Sequence, residues 1–222
     1  MGVSINDGKA LADAKKQIRR EALSVRNMIS PKLRQEKSSK ILQTIYEMEV
    51  YRIAGVILSY VDYQSEVITT PLIEKALADG KKVFCPKVSG DDMDFYRIVG
   101  MDELEDGYKG IKEPVGDHDF LEFLFERDDL SDNSDARNAI NNIYSKTLVI
   151  IPGSAFDKGC HRMGYGKGFY DKYMTRLSEK GINVFALGLG YECQLIDKVP
   201  CEAHDIVLDM LVTEENIYRR KR

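Results

Sequence analysis

Apolar residues recur along the chain with two periods, and the alternation between those periods predicts the architecture. Leu11, Ala14, Ile18, Ala22, Val25 and Ile29 are spaced three and four apart, the stripe of a helix that buries one face. A second helix is predicted to open at Ser30-Pro31, with Ser as the cap and Pro at the first helical position, and to bury Ile41, Leu42, Ile45 and Met48. Strands predicted at Ile53–Tyr60 and Lys82–Pro86 flank a helix capped near Thr69-Thr70-Pro71, and a polar-edged strand follows around Asp94–Ile98. Later strands are predicted at Leu148–Ile151, Asn183–Leu189 and Ile206–Leu208, with a helix over Phe169–Glu179 crossing between the first two. Helices alternating with strands predict an α/β fold: a three-layer sandwich around a mostly parallel sheet covered on both faces.

Gly116–Ser145 breaks this regularity. It is rich in Asp and Asn around Phe120, Leu121, Phe123, Leu124 and Phe125, and reads as an acidic insertion, part short helix and part mobile loop, on the surface. With 222 residues and 43% hydrophobic content the chain is long enough for a full core, and one domain over 1–222 is the simplest division.

Charge and cysteine usage narrow the function classes. A net charge of −4 argues against a general nucleic-acid binder, so any anion site has to be local. The first residues lack an apolar leader, which predicts a cytoplasmic protein without membrane contact. Cys85, Cys160, Cys193 and Cys201 show no CxxC pair or zinc spacing, and reduced structural thiols fit that compartment.

The chemistry concentrates in LVIIPGSAFDKGCHRMGYGKGFYDK, Leu148 to Lys172, where an apolar strand enters a glycine-rich basic loop and then a helix. Gly159, Gly164, Gly166 and Gly168 let backbone N–H groups approach an anion, the following helix directs its unsatisfied donors there, and Arg162 and Lys167 add charge. A polyphosphate suits this arrangement, although the spacing is neither that of a P-loop nor the GxGxxG dinucleotide fingerprint. A tight strand-to-helix turn with solvated cations has the same glycine pattern. On helix one, Lys15, Arg19 and Arg26 lie along one strip, which either reaches an anion or forms a solvated face. Asp171, in the first turn of the helix facing the phosphate, either complements the helix dipole or shares Mg²⁺ with phosphate oxygens. Asp157 reads as a turn former. Glu66, after a strand end where α/β sheets bind ligands, either accepts hydrogen bonds from a ligand ring or caps the next helix.

The string from Pro152 to Asp171, PGSAFDKGCHRMGYGKGFYD, resembles the signature of the 5-formyltetrahydrofolate cyclo-ligase family. The resemblance extends in order through Lys15 and Arg19, Glu66-Val67-x-Thr69, Gly110-Ile111-x-Glu113-Pro114, Val199-Pro200 with Asp205, and Val212-Thr213-Glu214. It implies a fold shared with certain sugar-phosphate isomerases and CoA transferases. It also implies ATP- and Mg²⁺-dependent closure of 5-formyltetrahydrofolate to 5,10-methenyltetrahydrofolate, with a small folate and ATP as the partners. By the same resemblance ATP contacts Lys15, Lys16, Gln17, Ile18 and Arg19, and Arg162, Met163, Gly164, Tyr165, Gly166, Lys167, Gly168, Phe169 and Tyr170. Lys15, Arg19, Arg162 and Lys167 would carry the catalysis, and Asp171 and Asp205 would sit at metal-associated positions. Leu58 and Glu66, with Tyr165 to Phe169, would contact the folate. Tyr165 stands where some relatives carry Arg, so cationic help at that spot is absent. A small-molecule kinase or sugar-phosphate enzyme, and a non-catalytic folate or nucleotide binder, are the alternatives that fold alone leaves open.

Overall fold

A computed structural model describes residues 5–125, 147–202 and 205–221. At its centre is a seven-stranded sheet, apart from which β4 (Leu104–Asp106) and β5 (Lys112–Pro114) pair as a two-stranded ribbon. The inner strands of the larger sheet, β1 (Val56–Ser59), β2 (Lys82–Ser89), β6 (Thr147–Ile151), β9 (Phe185–Leu189) and β10 (Met210–Val212), run parallel, while β3 (Asp92–Ile98) and β11 (Ile217–Arg219) close the two edges antiparallel. The strand order is β11-β10-β9-β6-β1-β2-β3. Every residue of β1 and β6 is buried, which explains why both read as continuous apolar runs rather than alternating ones.

Side-chain alternation divides these strands between two core layers. On one face Ile57, Val83, Leu148, Ile150 and Leu187 pack with Ile41, Leu42 and Ile45 of α2 (Pro31–Glu47) and Leu72, Ile73 and Ala76 of α4 (Thr70–Ala78). On the other, Leu58, Phe84, Val149 and Ile151 meet Tyr173 and Leu177 of α6 (Phe169–Glu179) and Phe120, Phe123 and Leu124 of α5 (Phe120–Phe125). The crossover β1–α4–β2 therefore lies on one face and β6–α6–β9 on the other. β1 and β6 are hydrogen-bonded neighbours, so the connections diverge between them and open a crevice at their carboxyl ends.

Several sequence expectations are met. α1 spans Ile5–Asn27, and α2 begins with Ser30 accepting from the Leu33 N–H at 3.3 Å and Pro31 at its first position. The cap of α4 differs from expectation. Thr69 makes no side-chain cap; the Asp62 carboxylate accepts from the Thr69 and Thr70 N–H groups and the Thr70 hydroxyl at 2.9–3.0 Å. The strand expected at Ile206–Leu208 falls at Met210–Val212, because Val207 pairs only as an isolated bridge with His161. β11 was not visible in the apolar pattern, since none of its three residues is buried.

The leading part of Gly116–Ser145 is core rather than surface decoration. Phe120 is 1% exposed and meets the Phe84 ring edge-on with centroids 5.3 Å apart. The remainder of that segment, 126–145, lies outside the described residues. Among the described residues no helix is long and apolar enough to cross a membrane.

Candidate active site

The loop after β6 is a built structure. Ala155–Phe156 (β7) and Arg162–Met163 (β8) form a short antiparallel hairpin. Its turn is organised by Asp157: Oδ1 accepts from the Gly159 and His161 N–H groups at 2.8 and 3.1 Å, and Oδ2 from the Val199 N–H at 3.0 Å. Burial pushes the Asp157 carboxyl up, but the Val199 and His161 donors outweigh it and hold the group below the usual carboxylate range. This hairpin places Arg162, 5% exposed, beneath the glycines. Gly166 and Gly168 have φ of +101° and +68°, so only these two loop glycines of the run need the left-handed region; Gly168 leads directly into α6 without a side-chain cap. The first N–H groups of α6 are thereby left for an external acceptor.

Two cavities meet at this loop. The larger, about 670 Å³, is lined by six basic side chains, Lys15, Arg19, Arg162, Lys167, Lys172 and Arg176, and by four carboxylates, Asp92, Asp171, Glu202 and Asp205. It is a local cationic site on a chain of net charge −4. Arg19 Nε donates to the Gly164 carbonyl at 2.8 Å, which fixes α1 to the loop. Lys15 Nζ bridges Glu202 and Asp205 at 2.8 and 2.7 Å; burial lowers its pKa, and the two carboxylates more than restore it. Arg162 Nη2 donates to Asp171 Oδ1 at 2.9 Å, and its buried Nε has no acceptor among the described residues.

The smaller cavity, about 310 Å³, is aromatic. Tyr60, Tyr63, Tyr108, Tyr165, Phe169 and Tyr170 line it together with Glu66 and Arg26. Glu66 is 9% exposed and accepts the Tyr63 N–H at 3.0 Å. Burial raises its carboxyl pKa, and hydrogen bonding from Tyr165 and the charge of Arg26 pull it part of the way back. The helix-cap role open to Glu66 in the sequence belongs to Asp62 instead. Arg162, Gly164, Lys167, Gly168 and Asp171 line both cavities and form their common wall.

Most residues singled out from the sequence converge here. Lys15, Arg19, Met163, Gly166 and Asp205 reach the cationic cavity, and Glu66, Tyr165, Phe169 and Tyr170 the aromatic one. Others do not. Leu58 is fully buried within β1 and lines neither cavity. Lys16 and Gln17 are exposed on the outer side of α1, and Ile18 packs against the small core of Ala22, Ala155, Met163 and Val199. Arg26 is the opposite case: spacing alone offered it a solvated role, whereas it is 3% exposed at the aromatic cavity. Glu202 and Asp92 carried no sequence signal. Among the described residues no group of three or more His, Cys, Asp or Glu is arranged to hold a metal ion. Asp171 and Asp205 nonetheless bring hard oxygen donors to the cationic cavity, a chemistry suited to Mg²⁺ when phosphate oxygens complete the shell.

Comparison with known proteins matches residues 12–214 to the 5-formyltetrahydrofolate cyclo-ligase family. The chain belongs to that family. A probable 5-formyltetrahydrofolate cyclo-ligase of Schizosaccharomyces pombe is 30% identical, covering 82% of this chain and 86% of its own length. The Mus musculus 5-formyltetrahydrofolate cyclo-ligase is 25% identical over 91% of this chain and 95% of its own. The solved structure of Aquifex aeolicus 5,10-methenyltetrahydrofolate synthetase superposes with a TM-score of 0.73 at 27% identity, covering 94% of this chain and 93% of that one. The cyclo-ligase family member described here is thus an enzyme of folate one-carbon chemistry, and the family implies use of ATP. An Arabidopsis thaliana relative, 26% identical, is a mitochondrial cyclo-ligase, so the family is not confined to the cytoplasm.

Proposed function

We propose that the protein closes 5-formyltetrahydrofolate to 5,10-methenyltetrahydrofolate while converting ATP to ADP and phosphate, with the nucleotide in the cationic cavity and the pterin in the aromatic one. The observation that carries this reading is the common wall: Arg162, Gly164, Lys167, Gly168 and Asp171 face both cavities, so a phosphate in one lies beside a formyl group in the other. The reaction needs that adjacency. The formyl oxygen attacks the γ-phosphorus, and the bond to the β,γ-bridging oxygen breaks as ADP leaves. N10 then adds to the activated formyl carbon and loses its proton to water, and cleavage of the C–O bond releases phosphate and leaves the methenyl bridge. No protein nucleophile is required.

Catalysis in this scheme is positioning and charge stabilisation. Lys167 and Arg162 face the transferring phosphoryl group, Arg19 and Lys15 hold the rest of the triphosphate, and the α6 N-terminus adds backbone donors. Mg²⁺, when bound, neutralises phosphate charge, and Asp171 and Asp205 are the side chains that would hold it. Glu66 accepts hydrogen bonds from the pterin ring between aromatic walls. The mostly parallel sheet with helices on both faces is compatible with the fold of certain sugar-phosphate isomerases and CoA transferases, with 1–222 acting as one catalytic unit.

The test is turnover with 5-formyltetrahydrofolate, ATP and Mg²⁺. Methenyl product that appears only when all three are present supports the reading. Stable phosphorylation of an acceptor would show a kinase, and ligand-induced stabilisation without turnover would show a binder.

A further inference from the structure

Arg26 has no role in the scheme so far, yet it is among the most buried charged groups of the described chain, 3% exposed on the last turn of α1. A guanidinium out of water costs several kcal/mol unless it is paired or fully hydrogen-bonded. Arg26 forms no ion pair with any carboxylate of the described residues. Its Nε donates to Ser65 Oγ at 2.9 Å, and Nη1 donates to the Tyr165 hydroxyl at 2.6 Å and reaches the Gly153 carbonyl at 3.4 Å. The Tyr165 hydroxyl in turn reaches the Gly153 carbonyl at 3.4 Å, and Ser65 leads directly into Glu66, whose carboxylate lines the same cavity. A buried cation and a buried carboxylate therefore share one cavity wall, and the cation holds the Tyr165 phenol and Ser65 beside the carboxylate. Tyr165 keeps 43% of its surface open, so its pinned hydroxyl leaves the ring facing the cavity.

We propose that Arg26 is a positioning residue for folate: it holds the Tyr165 hydroxyl and Ser65, and so keeps the Tyr165 ring and the loop that carries Glu66 in the pose that receives the pterin. This rests on the reading that the aromatic cavity takes the folate. It also gives the tyrosine at 165 a task of its own, because a phenol oxygen can accept from Arg26, which an arginine at that position cannot.

The arrangement has a sign in pH. Glu66 must be ionised to accept from the pterin, and burial already raises its pKa; Tyr165 and Arg26 lower it, while Asp62 on its own loop raises it. Tyr60 and Tyr170 also face it and stay neutral because burial raises both phenols. Loss of either lowering group moves the acid limb of folate kcat/KM to higher pH.

The experiment measures kcat/KM for 5-formyltetrahydrofolate across pH, together with KM for ATP, in the wild type, Tyr165→Phe, Arg26→Met and Arg26→Lys. Tyr165→Phe removes only the hydroxyl and is the deciding variant should Arg26→Met fold poorly. The expected result is a KM for folate raised about tenfold, the loss of one hydrogen bond to a charged group. With it goes an acid limb displaced upward by about one pH unit and a KM for ATP unchanged. Arg26→Lys keeps the charge but not the fork, so it restores the acid limb while folate KM stays high. Acid limbs coincident with the wild type, or parallel changes in both KM values, would overturn the proposal while leaving the assignment of the cavity intact. A folded wild type inert toward 5-formyltetrahydrofolate would instead remove that assignment, and the proposal with it.

Discussion

At the residue scale the chemistry divides between groups whose role their type announces and groups whose role only burial reveals. Lys167 is of the first kind. It lies 57% exposed on the common wall, 3.7 Å from Asp91, and is free to turn toward a phosphate. Lys167→Ala should lower ATP-dependent turnover by about a hundredfold if this ammonium stabilises the transferring group; near-wild-type steady-state kinetics would shift that role to Arg162 and the α1 pair. Asp171 and Asp205 test the metal. Either Asp→Asn change should raise the Mg²⁺ concentration needed for half-maximal turnover, and Asp205→Asn should also leave ATP-free folate binding unchanged, because Asp205 lines the cationic cavity and not the aromatic one. Superimposable Mg²⁺ titrations would leave both carboxylates as ion-pair partners of Arg162 and Lys15 only. Arg26 is of the second kind. It continues the strip of Lys15 and Arg19, and a sequence does not say which residues of a strip point inward. Leu58 is the converse case: it lies in a strand that ends beside the site, but that strand is buried on both faces and Leu58 packs in the core.

At the element scale the hairpin of β7 and β8 is held by one carboxylate. Asp157 has a depressed folded-state pKa, so its contribution is complete above the unfolded carboxylate value of about 3.9 and is lost as pH falls through the lower folded value. Acid unfolding of Asp157→Asn should therefore lack part of the wild-type loss of stability below about pH 4, while at neutral pH the variant should be less stable by roughly 1–3 kcal/mol. Parallel acid-unfolding curves would show that the turn does not depend on the charge. α5 offers a packing test. Phe120→Ala should cost roughly 3–5 kcal/mol in denaturant unfolding, since the ring is fully enclosed against Phe84; a loss under 1 kcal/mol would return the segment to the surface. The acidic composition around α5 concealed its core face, as six residues are too short a run for helical periodicity to stand out.

At the scale of the whole molecule, the helices and most inner strands were legible because buried parallel strands and amphipathic helices write distinct periods. Strand order was not legible. Nothing in the apolar pattern says that β6 returns to lie beside β1 rather than beyond β3, yet that placement opens the crevice and brings the loop after Ile151 against Glu66. The glycine-rich loop announced an anion site, but its second face, the wall it lends to an aromatic cavity, exists only once α1, β1 and β6 are assembled. The edge strand β11 stayed hidden for the same reason, its partner being fixed by the turn at Thr213–Asn216 rather than by hydrophobic alternation.

In the proposed reaction, phosphoryl transfer and ring closure are coupled across the wall that the two cavities share. The most direct measurement follows phosphate and methenyl product together in one mixture of protein, ATP, Mg²⁺ and 5-formyltetrahydrofolate. One phosphate per methenyl group formed is expected, with no phosphate release when the folate is omitted. Phosphate released at the same rate without folate, or methenyl product formed without ATP, would contradict that coupling.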